Sequence, residues 1–223
     1  DTSGVIELEN QATGQAYIMI DNQGENSIMI HSGANNAFTT DHVKRYEPII
    51  RESDFLIGQL ESAVDSTIEA FEIARKAEVV TILNPAPAFE ALPAALLKAT
   101  DIIVPNETET EILTGIKITD EASMKQAAQR LHDLGIAVVI ITVGSKGAFY
   151  HTEKNSGMVP AFKVNAVDTT AAGDTFIGSM SSVLKKDFSN LEAAIRYANK
   201  ASSIAVQRFG AQPSIPYKNE IIE

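Results

Sequence analysis

The chain has 223 residues, enough for one large domain or one domain with an appendage. Lys and Arg number 18 against 29 Asp and Glu, a formal charge of −11, which excludes a protein that wraps nucleic acid, because that needs a basic footprint. Hydrophobic residues at 44% support a packed core, and the absence of cysteine excludes disulfides, thiolate metal sites and a cysteine nucleophile.

In chain order, the apolar runs at 15–21 and 26–31 flank Asn22-Gln23-Gly24-Glu25 and predict a hairpin. Residues 1–34 are therefore expected to form a small β segment, and residues 35–223 an α/β domain. Strand-like runs at 55–60, 79–83, 101–105 and 137–143 alternate with helical segments near 66–77, 90–98, 107–113 and 121–134. Ser66 with Glu69 reads as a capping box, Pro93 as a first-turn proline, and Gly115 and Gly135 as helix-ending glycines. Short strands at 147–151 and 157–161 follow, then helices at 172–185 and 190–206. Continuous apolar strands separated by helices predict a mostly parallel sheet buried on both faces. No apolar run reaches the length of a membrane span and no signal peptide opens the chain, so a cytoplasmic protein without a membrane partner is expected. The chain opens on Asp1 rather than methionine and reads as a piece of something longer.

Ligands of open α/β sheets bind beyond the carboxyl ends of the strands. The loops there carry chemistry. In Asp168-Thr-Thr-Ala-Ala-Gly-Asp-Thr-Phe-Ile-Gly-Ser179, the small residues Ala171, Ala172 and Gly173 lead into a helix with Asp174 in its first turn. Small residues let N–H groups approach an anion, and a helix start adds positive partial charge. Asp174 either caps that helix or accepts a proton beside the anion. Asn106 and Glu109 follow the 101–105 strand; they form a cap cluster, or Asn106 donates to a phosphate while Glu109 holds Mg²⁺ through water. Thr142, Val143, Gly144, Ser145, Lys146 and Gly147 form a plain turn or a close backbone approach to a nucleotide, without a Walker pattern. Glu61 ends the 55–60 strand as a solvated charge or as an acceptor for two sugar hydroxyls. His31, His42, His132 and His151 lack metal-ligand spacing.

The 168–179 string resembles the second signature of the ribokinase-like carbohydrate kinases, whose core is D-T-x-A-A-G-D. The resemblance extends through 83–87, 105–109, 142–147 and 210–214, in family order. It implies a three-layer α/β/α fold and transfer of the ATP γ-phosphoryl group, with Mg²⁺, to the 5-hydroxyl of D-ribose. By position it makes Asp174 the catalytic base, Ala171 to Gly173 the anion hole, Glu61 a sugar contact and Asn199 an adenine contact. It further implies a K⁺ ion ringed by Asp168, Thr170, Ala205, Arg208, Gly210 and Ser214, and a hairpin that acts as a lid and pairs two subunits. Ile177 stands where several members carry Asn. The family's glycine-rich first signature and an earlier aspartate have no counterpart here, so Glu61, Asp174 and lid residues represent the sugar site. Other sugar or nucleoside kinases, and a silent nucleotide-binding protein, share this fold; an intact Asp174 and anion hole count against the silent form.

Overall fold

A computed structural model describes residues 2–20 and 26–222. The strands β1 (Gln15–Ile20) and β2 (Asn26–His31) pair antiparallel as a separate two-stranded sheet. The turn expected at 22–25 lies outside the described residues. Helices α1 (Thr40–Arg45) and α2 (Glu47–Glu52) lead into a six-stranded sheet. Its strands, in both chain and spatial order, are β3 (Phe55–Gly58), β4 (Val80–Leu83), β5 (Ile102–Ile103), β6 (Val138–Thr142), β7 (Gly147–Thr152) and β8 (Ser156–Pro160). Strands β3 to β6 run parallel, and β7 and β8 continue antiparallel.

The parallel part is connected through α3 (Val64–Lys76), α4 (Ala94–Lys98), α5 (Glu107–Thr114) and α6 (Glu121–His132). After β8 come α7 (Ala172–Val183), α8 (Leu191–Ala205) and α9 (Lys218–Ile222). Successive strand residues point to opposite faces. Leu83, Ile103, Val139 and Ile141 therefore pack with Phe71, Leu96 and Leu131 on one side. On the other side Ile82, Ile102, Val138 and Ile140 pack with Phe176, Met180 and Ile195. Burial on both faces is why these strands read as unbroken apolar runs. The three layers and mostly parallel sheet match the expectation.

Some local expectations differ. Ser66 and Glu69 do not form a capping box: α3 begins at Val64 behind Ala63, and Ser66 is buried, its hydroxyl donating to the Phe38 carbonyl at 3.0 Å. Contact with the α1 approach claims that hydroxyl. Helix α4 is shorter than 90–98, and Pro93 is its N-cap rather than a first-turn residue. Gly115 does end α5 in the left-handed region, at φ 69°. Gly135, at φ 101°, lies three residues beyond the end of α6.

Candidate active site

The carboxyl ends of β5 and β6 meet the starts of β7 and α7 around a cavity of about 420 Å³, lined by Asn106, Thr142, Gly144, Gly147, Gly173 and Asn199 among others. Asn106 bridges to Thr142, whose N–H donates to the Pro105 carbonyl at 2.9 Å, so the two strand-end loops lie side by side. Gly147 has φ 111°, and a Cβ there would stand 2.1 Å from the Val159 carbonyl oxygen, so only glycine lets β8 pass this closely. The Val143 N–H donates to the Gly147 carbonyl at 2.8 Å, which closes the loop on itself.

Not every residue expected in the nucleotide loop faces this cavity. The Val143 side chain is buried in the core against the α3–α6 layer. Ser145 and Lys146 are exposed and absent from the cavity wall. Asn199 lines the wall, yet its Nδ2 already donates to the carbonyls of Val159 at 2.9 Å and Pro160 at 3.2 Å. It ties α8 to β8.

The start of α7 is held unusually firmly. Ala171, its N-cap, sits in the left-handed region at φ 58°, a conformation that costs a non-glycine residue about 1–2 kcal/mol. The loop before it is anchored to the end of α8, because Val206 O accepts from the N–H groups of Val167 at 2.8 Å and Asp168 at 3.2 Å. The Ala172 N–H donates to Thr169 O at 3.2 Å. The first-turn N–H groups of Gly173 and Asp174 have no acceptor among the described residues. Of the expected anion-hole residues, Ala172 thus has its donor turned inward, while Ala171 and Gly173 keep theirs free among the described residues and Asp174 adds a third.

Asp174 is exposed and opens onto a different cavity, about 720 Å³, together with Gly58, Ser62, Asn84 and Ile177. Adjacent residues, Gly173 and Asp174, therefore face two separate cavities across one helix start. Glu61 lines a third, of about 420 Å³, with Gln15, His31 and Asn35 at the base of the hairpin. It does not share a cavity with Asp174, although Ser62 lines both.

Asn106 and Glu109 form a reciprocal cap at the start of α5. Asn106 donates from its N–H at 2.8 Å and from Nδ2 at 2.9 Å to the Glu109 carboxylate, and accepts the Glu109 N–H at 2.8 Å. Burial pushes the Glu109 carboxyl up, against the lowering effect of the Asn106 N–H. Among the described residues no three His, Cys, Asp or Glu side chains group as a metal site. A lone carboxylate fits Mg²⁺ held through waters and phosphate oxygens.

The Asp168 carboxylate accepts the N–H groups of Thr170 and Gly210, both at 2.9 Å. Thr170 and then Gly210 hold its carboxyl below the usual range. The Ala205 carbonyl accepts the Arg208 N–H at 2.9 Å, and the Arg208 guanidinium pairs with Glu220 at 2.5 Å. Ser214 is buried, its hydroxyl donating to Ala211 O at 2.7 Å. Three of the residues expected around K⁺, Asp168, Thr170 and Gly210, thus come into direct contact. His132 and His151 bond to each other at 2.8 Å and line none of these cavities.

Residues 1–218 match the pfkB family carbohydrate kinase model. The chain belongs to the pfkB family of carbohydrate kinases. It is 49% identical over 221 residues to the ribokinase of Staphylococcus aureus (strain COL), covering 99% of this chain and 72% of that protein. It is 50% identical over 218 residues to the bifunctional ribokinase/ribose-5-phosphate isomerase A of Fructilactobacillus sanfranciscensis, covering 98% of this chain and 40% of that longer one. The solved structure of Arabidopsis thaliana ribokinase complexed with ribose and ATP superimposes with a TM-score of 0.86 at 30% identity, over 97% of this chain and 72% of that one. Sequence reasoning missed Ser202, which lines the same cavity as Gly173 one helical turn after Asn199; nothing local in the sequence marks it.

Proposed function

We propose that this pfkB-family protein is a ribokinase, transferring the γ-phosphoryl group of ATP to the 5-hydroxyl of D-ribose in the cytoplasm. The observation that carries the reading is the placement of Gly173 and Asp174. Free N–H groups and a carboxylate stand at one helix start, Gly173 on a cavity of about 420 Å³ and Asp174 on a larger one of about 720 Å³. The first suits a triphosphate tail, held by Gly173 and the loops ending at Asn106 and Gly147. The second, joined by Glu61 through Ser62, suits the sugar.

In the reaction, Asp174 takes the proton from the sugar hydroxyl as its oxygen bonds to the γ-phosphorus. The bond from phosphorus to the bridging oxygen breaks and ADP leaves. The N–H groups of Gly173 and Asp174 hold the charge that spreads over the transferring oxygens. Glu109 would hold Mg²⁺ through water, and that ion, when bound, neutralises phosphate charge. The oxygen-rich loops around Asp168, Thr170 and Gly210 would hold K⁺ and keep the helix start in shape. The β1–β2 hairpin would cover the sugar and join a second subunit.

The test is ADP release with a panel of sugars, using the natural full-length protein and Asp174→Asn. Ribose should be turned over best, and the substitution should lower kcat by about 10²–10⁴-fold with little change in ATP affinity. An Asn variant of near-normal turnover would sink the assignment.

A further inference from the structure

The hydroxyl of Ser202, on α8, donates to the backbone carbonyl of Ala172 at 3.0 Å. We infer that Ser202 is a positioning residue for phosphoryl transfer, acting by fixing the orientation of the Ala172–Gly173 peptide. This rests on the ribokinase reading above and deepens it.

The argument is geometric. A peptide unit is planar and trans, so the Ala172 carbonyl and the Gly173 N–H lie in one rigid plane and point in opposite directions. Whatever holds the carbonyl also aims the N–H. The Gly173 N–H, with those of Ala171 and Asp174, has no acceptor at this helix start among the described residues. The peptide is also exposed to disturbance, because Ala171 immediately before it holds φ 58°, a value that L-residues keep only when the surroundings enforce it. Ser202 is placed to hold the Ala172–Gly173 peptide that follows. The residue lines the same cavity as Gly173, and its helix is held from behind by Asn199, which donates to Val159 and Pro160. Four residues beyond Ser202, Val206 O takes the N–H groups of Val167 and Asp168. One rigid helix therefore grips the loop before the anion hole and the peptide within it. A methyl group at 202 would leave the grip on the loop and remove only the side-chain hold on this first helical peptide.

Ser202→Ala in the natural full-length protein should lower kcat roughly 3- to 10-fold, the equivalent of one ordinary hydrogen bond, while KM for ATP moves less than about two-fold. Ser202→Thr, which keeps the hydroxyl, should restore most of kcat. Thermal unfolding is recorded for each variant. An S202A protein that melts earlier but keeps its kcat marks a packing role and overturns the inference, as does a rise in KM at constant kcat or an S202T variant no better than S202A. Asp174→Asn, assayed beside them, separates the two claims. Inactive D174N with fully active S202A overturns the Ser202 inference alone; fully active D174N overturns the ribokinase reading and this inference with it.

Discussion

Asp168 accepts the backbone N–H of Gly210 at 2.9 Å across 42 residues of sequence. The other carboxylate oxygen takes the Thr170 N–H two residues on, so one side chain joins the loop before α7 to the loop after α8. Asp168→Ala should loosen the anion hole from a distance. Velocity should fall, and any activation by potassium over tetramethylammonium should disappear. The pH sign follows from the lowered carboxyl. The folded pKa lies below the unfolded value of about 3.9, so the stabilisation is present above pH ~3.9 and is lost as pH falls through the folded value. Urea unfolding of wild type and variant should converge at acid pH. A constant difference between them down to pH ~2 would contradict this.

Glu109 behaves oppositely, because burial raises its carboxyl. It must be ionised to hold Mg²⁺, so velocity at limiting Mg²⁺ should begin to fall at a higher pH than an ordinary glutamate would dictate, and excess Mg²⁺ should shift that limb back down. Glu109→Gln should remove the limb and raise the Mg²⁺ needed for half-maximal velocity by about 10-fold. An unchanged Mg²⁺ requirement would show the carboxylate to be only a cap for Asn106.

Gly147→Ala places a Cβ against Val159 O where only 2.1 Å is available, at a φ of 111°. The loss should be about 2–3 kcal/mol, or roughly 5–10 °C in Tm for a chain of this size. ATP affinity should fall further than stability alone explains, since the loop lines the cavity. Calorimetric unfolding with and without ATP measures both.

Both faces of the hairpin present apolar side chains. Tyr17 and Met29 are Cα partners, 55% and 61% exposed, while Ile30 on the opposite face is 55% exposed. An isolated two-stranded hairpin is marginal in water. Met29→Glu in the natural full-length protein should therefore weaken a lid-mediated dimer by 10-fold or more, given the about 1.5–3 kcal/mol at stake for a large apolar side chain. Sedimentation of wild type as a monomer at micromolar concentration would discard the dimer.

Strand β3 lies at the sheet edge, with no partner on its outer side among the described residues. Its own Ile57 is 45% exposed and Ile49 of α2 is 53% exposed, both at the 720 Å³ cavity. Open edges with exposed apolar flanks invite pairing with other chains. Residues 1–223 should bind a hydrophobic dye and associate on concentration. A dye-silent product that melts cooperatively as a monomer would refute this.

The sequence by itself determined what is contiguous. The run from Asp168 to Asp174 carries its small residues and carboxylate in unbroken order, and apolar strands buried on both faces announce the parallel sheet. The left-handed end of α5 at Gly115 was equally legible, because a glycine's conformational freedom is local. What joins distant segments was not. Ser66 was claimed by Phe38, Asn199 by Val159, and Ser202 by Ala172, in place of the roles their neighbours in sequence suggest or with no local signal at all. The cavity each side chain faces was likewise decided by tertiary structure. Gly173 and Asp174 are adjacent in the chain yet open in different directions, because a helix start turns successive residues by about 100° and the loops of β5, β6 and β3 wall off each side. Hydrogen bonds of this kind gain little until packing has excluded water from them, so no local sequence pattern can specify their partners.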